Sequence, residues 1–193
     1  MPDTTNHATS NLGFLTVCEQ EDQSLFGGLL VLNISGRPLE FHCTAPVRPN
    51  RAQEILYGPT LRPYLYGEQI GRALMERLSA APALVFTDVE PALALRPLTK
   101  VPVVYVGAES EPNASSSDLT ARIDAPHPTP APSGSMRLQR FRLGPWQLAV
   151  PQAHAGDESH VVSHWQSHAD DFDLSEPFGR IREAIEEARR AAR

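Results

Sequence analysis

The chain has 193 residues, of which 41% are hydrophobic and 21% are charged, and its formal net charge is −6 at pH 7. This composition is typical of a folded globular protein and argues against a disordered chain, which would be poorer in apolar side chains. The acidic balance disfavours nucleic acid as the main partner without excluding it, because binding to a phosphate backbone needs clustered excess Lys and Arg.

Cysteine content and hydropathy indicate a cytoplasmic protein. The chain has 2 cysteines, which cannot build a disulfide framework and fit a reducing compartment. No run of about 18 apolar residues occurs, so no membrane span is expected. The N-terminus lacks the basic and apolar regions of a secretory signal, and residues 1–12 are predicted to be a disordered tail.

The first structured part is predicted to be a three-stranded antiparallel meander. The run 13–21 has the two-residue period of a strand, with Leu15 and Val17 on one face and Phe14, Thr16 and Cys18 on the other, and the run 39–45 alternates between apolar and polar residues. Between them, 29–34 is apolar nearly throughout, as expected for a strand that is covered on both faces. Gly27 and Gly28 are placed before this second strand.

A Pro-rich crossover over residues 46–63 leads to the first long helix. The crossover holds too many prolines for a long helix, although Asn50 could cap the short helical turn RAQEILY. Residues 64–78 are predicted to be helical because apolar residues recur at every fourth position. Gly67 and Gly71 lie beside this stripe and would let the helix approach the sheet closely. The stripe consists of Tyr66, Ile70, Leu74 and Leu78.

Two further buried strands complete the predicted core domain, residues 13–107. The apolar runs 83–88 and 101–106 are separated by a short helix from Pro91 to Leu95. Because right-handed crossovers join parallel strands, the later strands should lie parallel to the first. The predicted fold is therefore α/β, with a mixed sheet in the order β-β-β-α-β-α-β. This order resembles the ribonuclease H-like arrangement in topology, which implies a fold found in nucleases, some actin-like ATPases and certain ribosomal proteins.

A linker and a further set of docked elements are predicted after the core domain. Residues 108–135 are rich in Pro and Ser and are predicted to be a linker or surface loop. Residues 136–193 are predicted to form a hairpin that turns at Gly144 and Pro145, followed by C-terminal helices. The last helix is amphipathic and begins after Ser175. Its apolar stripe consists of Phe178, Ile181, Ile185, Ala188 and Ala192.

Three acidic residues, Glu19, Asp88 and Glu90, are the candidates for a catalytic site. The carboxyl ends of parallel strands converge, and carboxylates held there could bind Mg²⁺ for phosphodiester cleavage. This pattern supports one hypothesis, a divalent-metal-dependent nuclease or nucleic-acid-processing protein. In the opposing interpretation, Asp88 caps the turn after its strand and the glutamates are solvated.

Three histidines are the candidates for a metal site on a predicted helix. His160, His164 and His168 are spaced four residues apart, so they share one helix face and could bind a divalent ion such as Zn²⁺. The alternative is a solvated, His-rich face. A zinc site that includes His42 and Cys43 is disfavoured, because adjacent residues of a strand point to opposite faces.

Arginines and tyrosines of the crossover form a predicted recognition surface, because both residue types are enriched at interface hot spots. Alternatively, the tyrosines pack the helix on the sheet and the arginines stay in water. The leading hypothesis is a non-enzymatic interaction or scaffold module without a cofactor, which binds a protein partner or a second copy through this surface and the C-terminal helix. The residues of the surface are Arg48, Arg51, Tyr57, Arg62, Tyr64 and Tyr66.

Overall fold

A computed structural model of the chain describes residues 11–107, 136–165 and 172–191. Most of the predicted N-terminal tail, the predicted linker 108–135, and His168 lie outside the described residues. None of the helices in the described ranges is long and apolar enough to cross a membrane.

Seven strands form a single mixed sheet in the order β3-β2-β1-β4-β5-β7-β6. Strands β1 to β3 form an antiparallel meander, and β4 and β5 continue the sheet parallel to β1. The α/β class and the mixed sheet are therefore confirmed. The strands are β1 (Leu12–Glu19), β2 (Leu25–Leu32), β3 (Pro38–Cys43), β4 (Leu84–Thr87), β5 (Val103–Val106), β6 (Leu138–Leu143) and β7 (Trp146–Pro151).

Helices cover both faces of this sheet. One face carries α2, which begins at Leu61–Pro63, continues as π-helix at Tyr64–Gly71 and ends at Arg72–Met75, and the 3₁₀ helix α3 (Glu90–Leu98). The other face carries α4 and α5. The remaining helices are α1 (Arg51–Tyr57), α4 (Asp157–Trp165) and α5 (Glu176–Ala191), with short 3₁₀ turns at Gly58–Thr60 and Gln152–His154.

Two glycines inside β2 allow both helical layers to approach the sheet. A Cβ added to Gly27 would lie 2.1 Å from Cγ2 of Ile70 in α2, and one added to Gly28 would lie 2.3 Å from Cγ2 of Ile181 in α5. The prediction that these glycines precede the strand is wrong, because the strand begins at Leu25. Close approach requires the glycines to lie within the sheet.

One of the two glycines that were predicted to bring α2 close to the sheet instead brings α2 close to α3. A Cβ on Gly67 would lie 2.5 Å from the backbone nitrogen of Leu95, so this glycine lets α2 pack on α3. Gly71 does face the sheet, where an added Cβ would lie 3.4 Å from Cδ2 of Leu15.

The amphipathic helix α5 buries its apolar stripe inside the chain. Phe178, Ile181 and Ile185 belong to the core on one face of the sheet, and α5 contacts β1 and β2. Ala188, the next residue of the predicted stripe, is exposed, and Ala192 lies outside the described residues. A partner that bound α5 would therefore meet its charged face.

The hairpin of β6 and β7 extends the sheet, because β7 pairs with β5 in antiparallel register. A bidentate ion pair connects α4, the helix that follows the hairpin, to α3 on the opposite face of the sheet. Nε and Nη2 of Arg96 in α3 donate to the carboxylate of Asp157 at the start of α4, at 2.5 and 2.9 Å. Only 15% of the Arg96 side chain and 11% of the Asp157 side chain are exposed.

Candidate functional site

The candidate carboxylates Glu19 and Asp88 lie at the same edge of the sheet but on opposite faces. Glu19 shares its face with Val17, on the side of α2, where its Oε2 accepts hydrogen bonds from Arg62 at 2.8 Å and from the Tyr66 hydroxyl at 3.4 Å. Asp88 lies on the side of α5, and its Oδ2 accepts a hydrogen bond from Arg182. The structure therefore does not bring the two carboxylates together.

The third acidic candidate, Glu90, is exposed at the first position of α3. Within the ranges that the structure describes, no group of three or more His, Cys, Asp or Glu residues is placed to hold a metal ion. A magnesium site at this edge would require Glu19 or Asp88 to leave its arginine.

Two of the predicted histidine ligands do share a helix face. The rings of His160 and His164 stack on α4 with their centroids 4.4 Å apart, and both residues are exposed. Nδ1 of His164 lies 2.9 Å from the carbonyl oxygen of His160, so it donates to the helix backbone and leaves Nε2 for a ligand. The proposed third ligand, His168, is outside the described residues.

The two cysteines lie on the α5 face of the sheet and are separated by β2. Cys18 pairs with Phe26 and Cys43 pairs with Gly28 across that strand. Burial raises the pKa of the Cys18 thiol, and this effect outweighs the nearby positive charge of Arg182. The thiolate form that a nucleophile needs is thus disfavoured at Cys18.

The structure divides the predicted recognition surface into a buried and an exposed part. Tyr66 of α2 is buried in the core between this helix and the sheet, as the packing alternative predicted. The rings of Tyr57 and Tyr64 instead stack at the surface with their centroids 4.2 Å apart. Every arginine of the set has an acidic partner: Arg48 binds Asp22, Arg51 binds Glu54 and Arg62 binds Glu19.

Helix α1 exposes apolar side chains that the sequence interpretation overlooked. It is held by a reciprocal cap in which Asn50 accepts from the amide of Gln53 and the Gln53 side chain accepts from the amide of Asn50. Within the described part of the chain this helix has no buried residue, and Ile55 and Leu56 are 66% and 82% exposed. The sequence does contain this signal, since a helix of 7 residues between Pro49 and Pro59 offers little support for burying consecutive apolar side chains.

Two cavities of about 420 and 380 Å³ open beside α2, and Tyr57, the residue after Leu56 in α1, lines the larger one. Tyr64 and Glu68 line both cavities. The larger cavity is apolar where Pro97 and Met136 line it, and the smaller one reaches Leu98, which is exposed. We call Ile55, Leu56, Tyr57, Tyr64 and Leu98, with these two cavities, the crossover surface.

The chain is an α/β protein with a seven-stranded mixed sheet. No family model matches the chain, and no curated protein matches it. Among solved structures, it is similar to endonuclease V from Ciona intestinalis, solved in complex with a 23mer DNA containing an inosine followed by a ribo-adenosine, with 12% sequence identity and a TM-score of 0.34. The similarity covers 50% of this chain and 45% of that chain.

Proposed function

We propose that this chain is a protein-interaction module that binds through the crossover surface. The exposure of Ile55 and Leu56 on a well-capped helix carries this proposal. Removing apolar surface from water is worth about 25 cal/mol per Å², so two aliphatic side chains held in solvent favour a partner that covers them. Single exposed apolar residues are ordinary, but a cluster that includes stacked aromatic rings is typical of an interaction site.

The chemistry of the crossover surface also supports a protein partner. Protein interfaces are enriched in aromatic residues and arginine at their centre and have a polar rim. Tyr57 and Tyr64 supply the aromatic centre, and Arg51, which pairs with Glu54 at 2.9 Å, supplies the rim. The arginines are already neutralised by carboxylates, so the surface has little excess positive charge for a nucleic acid.

A second copy of the chain is the partner that this surface fits best. A two-fold interface must be self-complementary, because the same patch faces itself. The crossover surface contains both a protrusion, formed by Ile55 and Leu56, and the apolar cavity lined by Pro97 and Met136. Each copy could therefore insert its protrusion into the cavity of the other.

The test is the molar mass in solution as a function of protein concentration, measured by light scattering. The wild-type chain should move toward the mass of a dimer, whereas Leu56→Asp should remain monomeric because a charge would be buried at the interface. The matched control is Leu39→Asp, at a leucine that is 47% exposed on the edge strand β3. This control should assemble like the wild type.

A monomeric wild-type chain at all concentrations would show that a second copy is not the partner. Loss of assembly in Leu39→Asp with retention in Leu56→Asp would instead assign the interface to the edge of β3, where an unpaired strand can also bind another chain. Circular dichroism of both variants shows whether they remain folded.

A divalent-metal-dependent nuclease is the alternative function, and the position of Glu19 and Asp88 at one sheet edge supports it. Their separation onto opposite faces and their arginine partners weigh against it. Thermal unfolding with Mg²⁺ or Mn²⁺ distinguishes the two functions, since an ion present at about 100 times its Kd adds about 2.7 kcal/mol of stability. The interaction module predicts no such stabilisation, whereas a shift that Asp88→Asn abolishes would favour the nuclease.

A further inference from the structure

A cavity of about 410 Å³ opens at the carboxyl ends of β4 and β5, on the α5 face of the sheet. Its volume lies in the range of roughly 300–1,000 Å³ that is typical of small-molecule sites. Asp88 and Tyr105 line it from the sheet, Trp146 from the start of β7, and Phe178 and Arg182 from α5. Ligands of α/β proteins commonly bind at this position, outside the carboxyl ends of the strands.

The polar part of the cavity is an ion pair that uses only part of its hydrogen-bonding capacity. Oδ2 of Asp88 accepts from Nη2 of Arg182. The other oxygen, Oδ1, is buried and accepts no hydrogen bond from any residue that the structure describes. A buried carboxylate oxygen without a donor raises the free energy of the unliganded protein, and a ligand that supplies a donor recovers that cost.

A second unsatisfied group lies behind this carboxylate. Leu15 of β1 is opposite Thr87 of β4 in parallel register, so Thr16 occupies the position beside Asp88. The Thr16 hydroxyl is fully buried and makes no hydrogen bond within the described ranges. The core beside Asp88 therefore contains a second polar group with unused hydrogen-bonding capacity.

Arg182 is placed to exchange partners. Its side chain is 49% exposed, whereas that of Asp88 is 18% exposed. Arg182 donates to Asp88 through one nitrogen, and a guanidinium carries five N–H donors. It can therefore turn toward an incoming anion at the mouth of the cavity and leave Asp88 for an incoming cation.

We propose that this cavity binds a small zwitterion with an apolar substituent, which is the chemistry of a free α-amino acid. The ammonium group replaces Arg182 as the donor to Asp88, and the carboxylate accepts charge-assisted hydrogen bonds from Arg182. The apolar substituent packs against Trp146 and Phe178, which are almost fully buried. Both charged groups of an α-amino acid are attached to one carbon, which matches a carboxylate and a guanidinium that already lie in contact.

The N-terminus of α5 is not the source of this binding. Oδ1 of Asp173 accepts hydrogen bonds from the amides of Ser175 and Glu176 at 2.8 and 3.3 Å, so the first turn is already capped by a carboxylate. The ligand's carboxylate thus depends on Arg182.

Isothermal titration calorimetry with three ligands tests the proposal on the full chain. L-Phenylalanine carries both charges, phenethylamine only the positive one and 3-phenylpropionate only the negative one. L-Phenylalanine should bind at least tenfold more tightly than either analogue. Asp88→Asn should weaken binding of the amino acid and the amine, and Arg182→Gln should weaken binding of the amino acid and the acid. Arg190→Gln, on the exposed side of the same helix, should change nothing.

The absence of heat with all three ligands, or an analogue that binds as tightly as L-phenylalanine, would overturn the proposal. Binding that survives both Asp88→Asn and Arg182→Gln would also overturn it. If a variant does not fold, as judged by thermal unfolding, the comparison of the three ligands on the wild-type chain decides by itself.

Discussion

The two faces of the sheet are covered by helical layers that are built differently. On one face, α2 and α3 lie on either side of β4 in the chain and contain π and 3₁₀ turns. On the other face, α5 is a regular 16-residue helix that lays a repeating apolar stripe on β1 and β2. A regular helix needs one glycine, Gly28, in the sheet beneath it, whereas the irregular layer depends on Gly27 and also on Gly67 between its own helices.

This difference shows where close packing makes a position intolerant of change. At Gly67 the neighbouring atoms belong to the backbone of α3, which cannot move without displacing the whole helix. In α5, a Cβ added to Gly179 would have no described atom within 4 Å other than those of its chain neighbours and its own helix backbone. Two helical glycines on opposite faces of one sheet therefore have opposite expected responses to the same substitution.

Gly67→Ala should cause the largest loss of stability. Its Cβ would lie 2.5 Å from the backbone nitrogen of Leu95, and overpacking of this kind costs about 3 kcal/mol where the neighbours cannot relax. The matched control, Gly179→Ala, should stabilise the chain by about 0.8 kcal/mol, because alanine has the higher helix propensity. Urea unfolding measures both. Equal effects at the two positions would contradict the proposed difference between the layers.

The regular elements could be predicted from the sequence because their burial pattern is local. The apolar runs that form β4 and β5 indicate buried strands, and the apolar stripe of α5 indicates a helix with one buried side, in each case without reference to the rest of the chain. The π-helix in α2 could not be predicted in the same way, although one signal was present. A strict four-residue repeat over Tyr66, Ile70 and Leu74 exceeds the 3.6 residues of an α-helical turn, and the wider π turn keeps such a stripe on one side.

Asp157→Asn should have the next largest effect, because it breaks the link between the two layers. Arg96 would keep a poorly exposed guanidinium without its charged partner, and the loss of a charge-assisted hydrogen bond at such a site is worth about 2 kcal/mol. Glu76→Gln is the control, since its ion pair with Arg72 is solvent-exposed and contributes little to stability. Urea unfolding should separate the two variants clearly. Similar losses would mean that the layers are not coupled through this pair.

The candidate site was harder to predict than the fold, because it depends on register between distant strands. The sequence places Glu19 and Asp88 at strand ends, and both positions are correct. Their faces follow from the alignment of Leu15 with Thr87, which no local pattern specifies. The partner of Asp88, Arg182, is 94 residues away in the chain. Such a pair forms only when α5 docks, so sequence spacing contains no signal for it.

The smallest expected effect concerns Glu40, which attaches the chain after α2 to the edge strand β3. Its carboxylate accepts hydrogen bonds from the amides of Ala80 and Ser79 and from His42, and these contacts lower the pKa of Glu40 to about 2. A carboxyl with a depressed pKa stabilises the fold above its ordinary pKa, near 4.3, and this stabilisation disappears as the pH falls toward about 2.

Glu40→Gln should therefore be less stable than the wild type at pH 7, and the difference should shrink when the pH is lowered through this window. Urea midpoints across the window measure it. Glu21→Gln, at an exposed position of the turn between β1 and β2, is the control. A gap between Glu40→Gln and the wild type that stays constant with pH would mean that the charge of Glu40 does not hold the α2 layer to β3. In that case this layer would differ from the one formed by α5 in the close packing at its glycines, and not in its electrostatics.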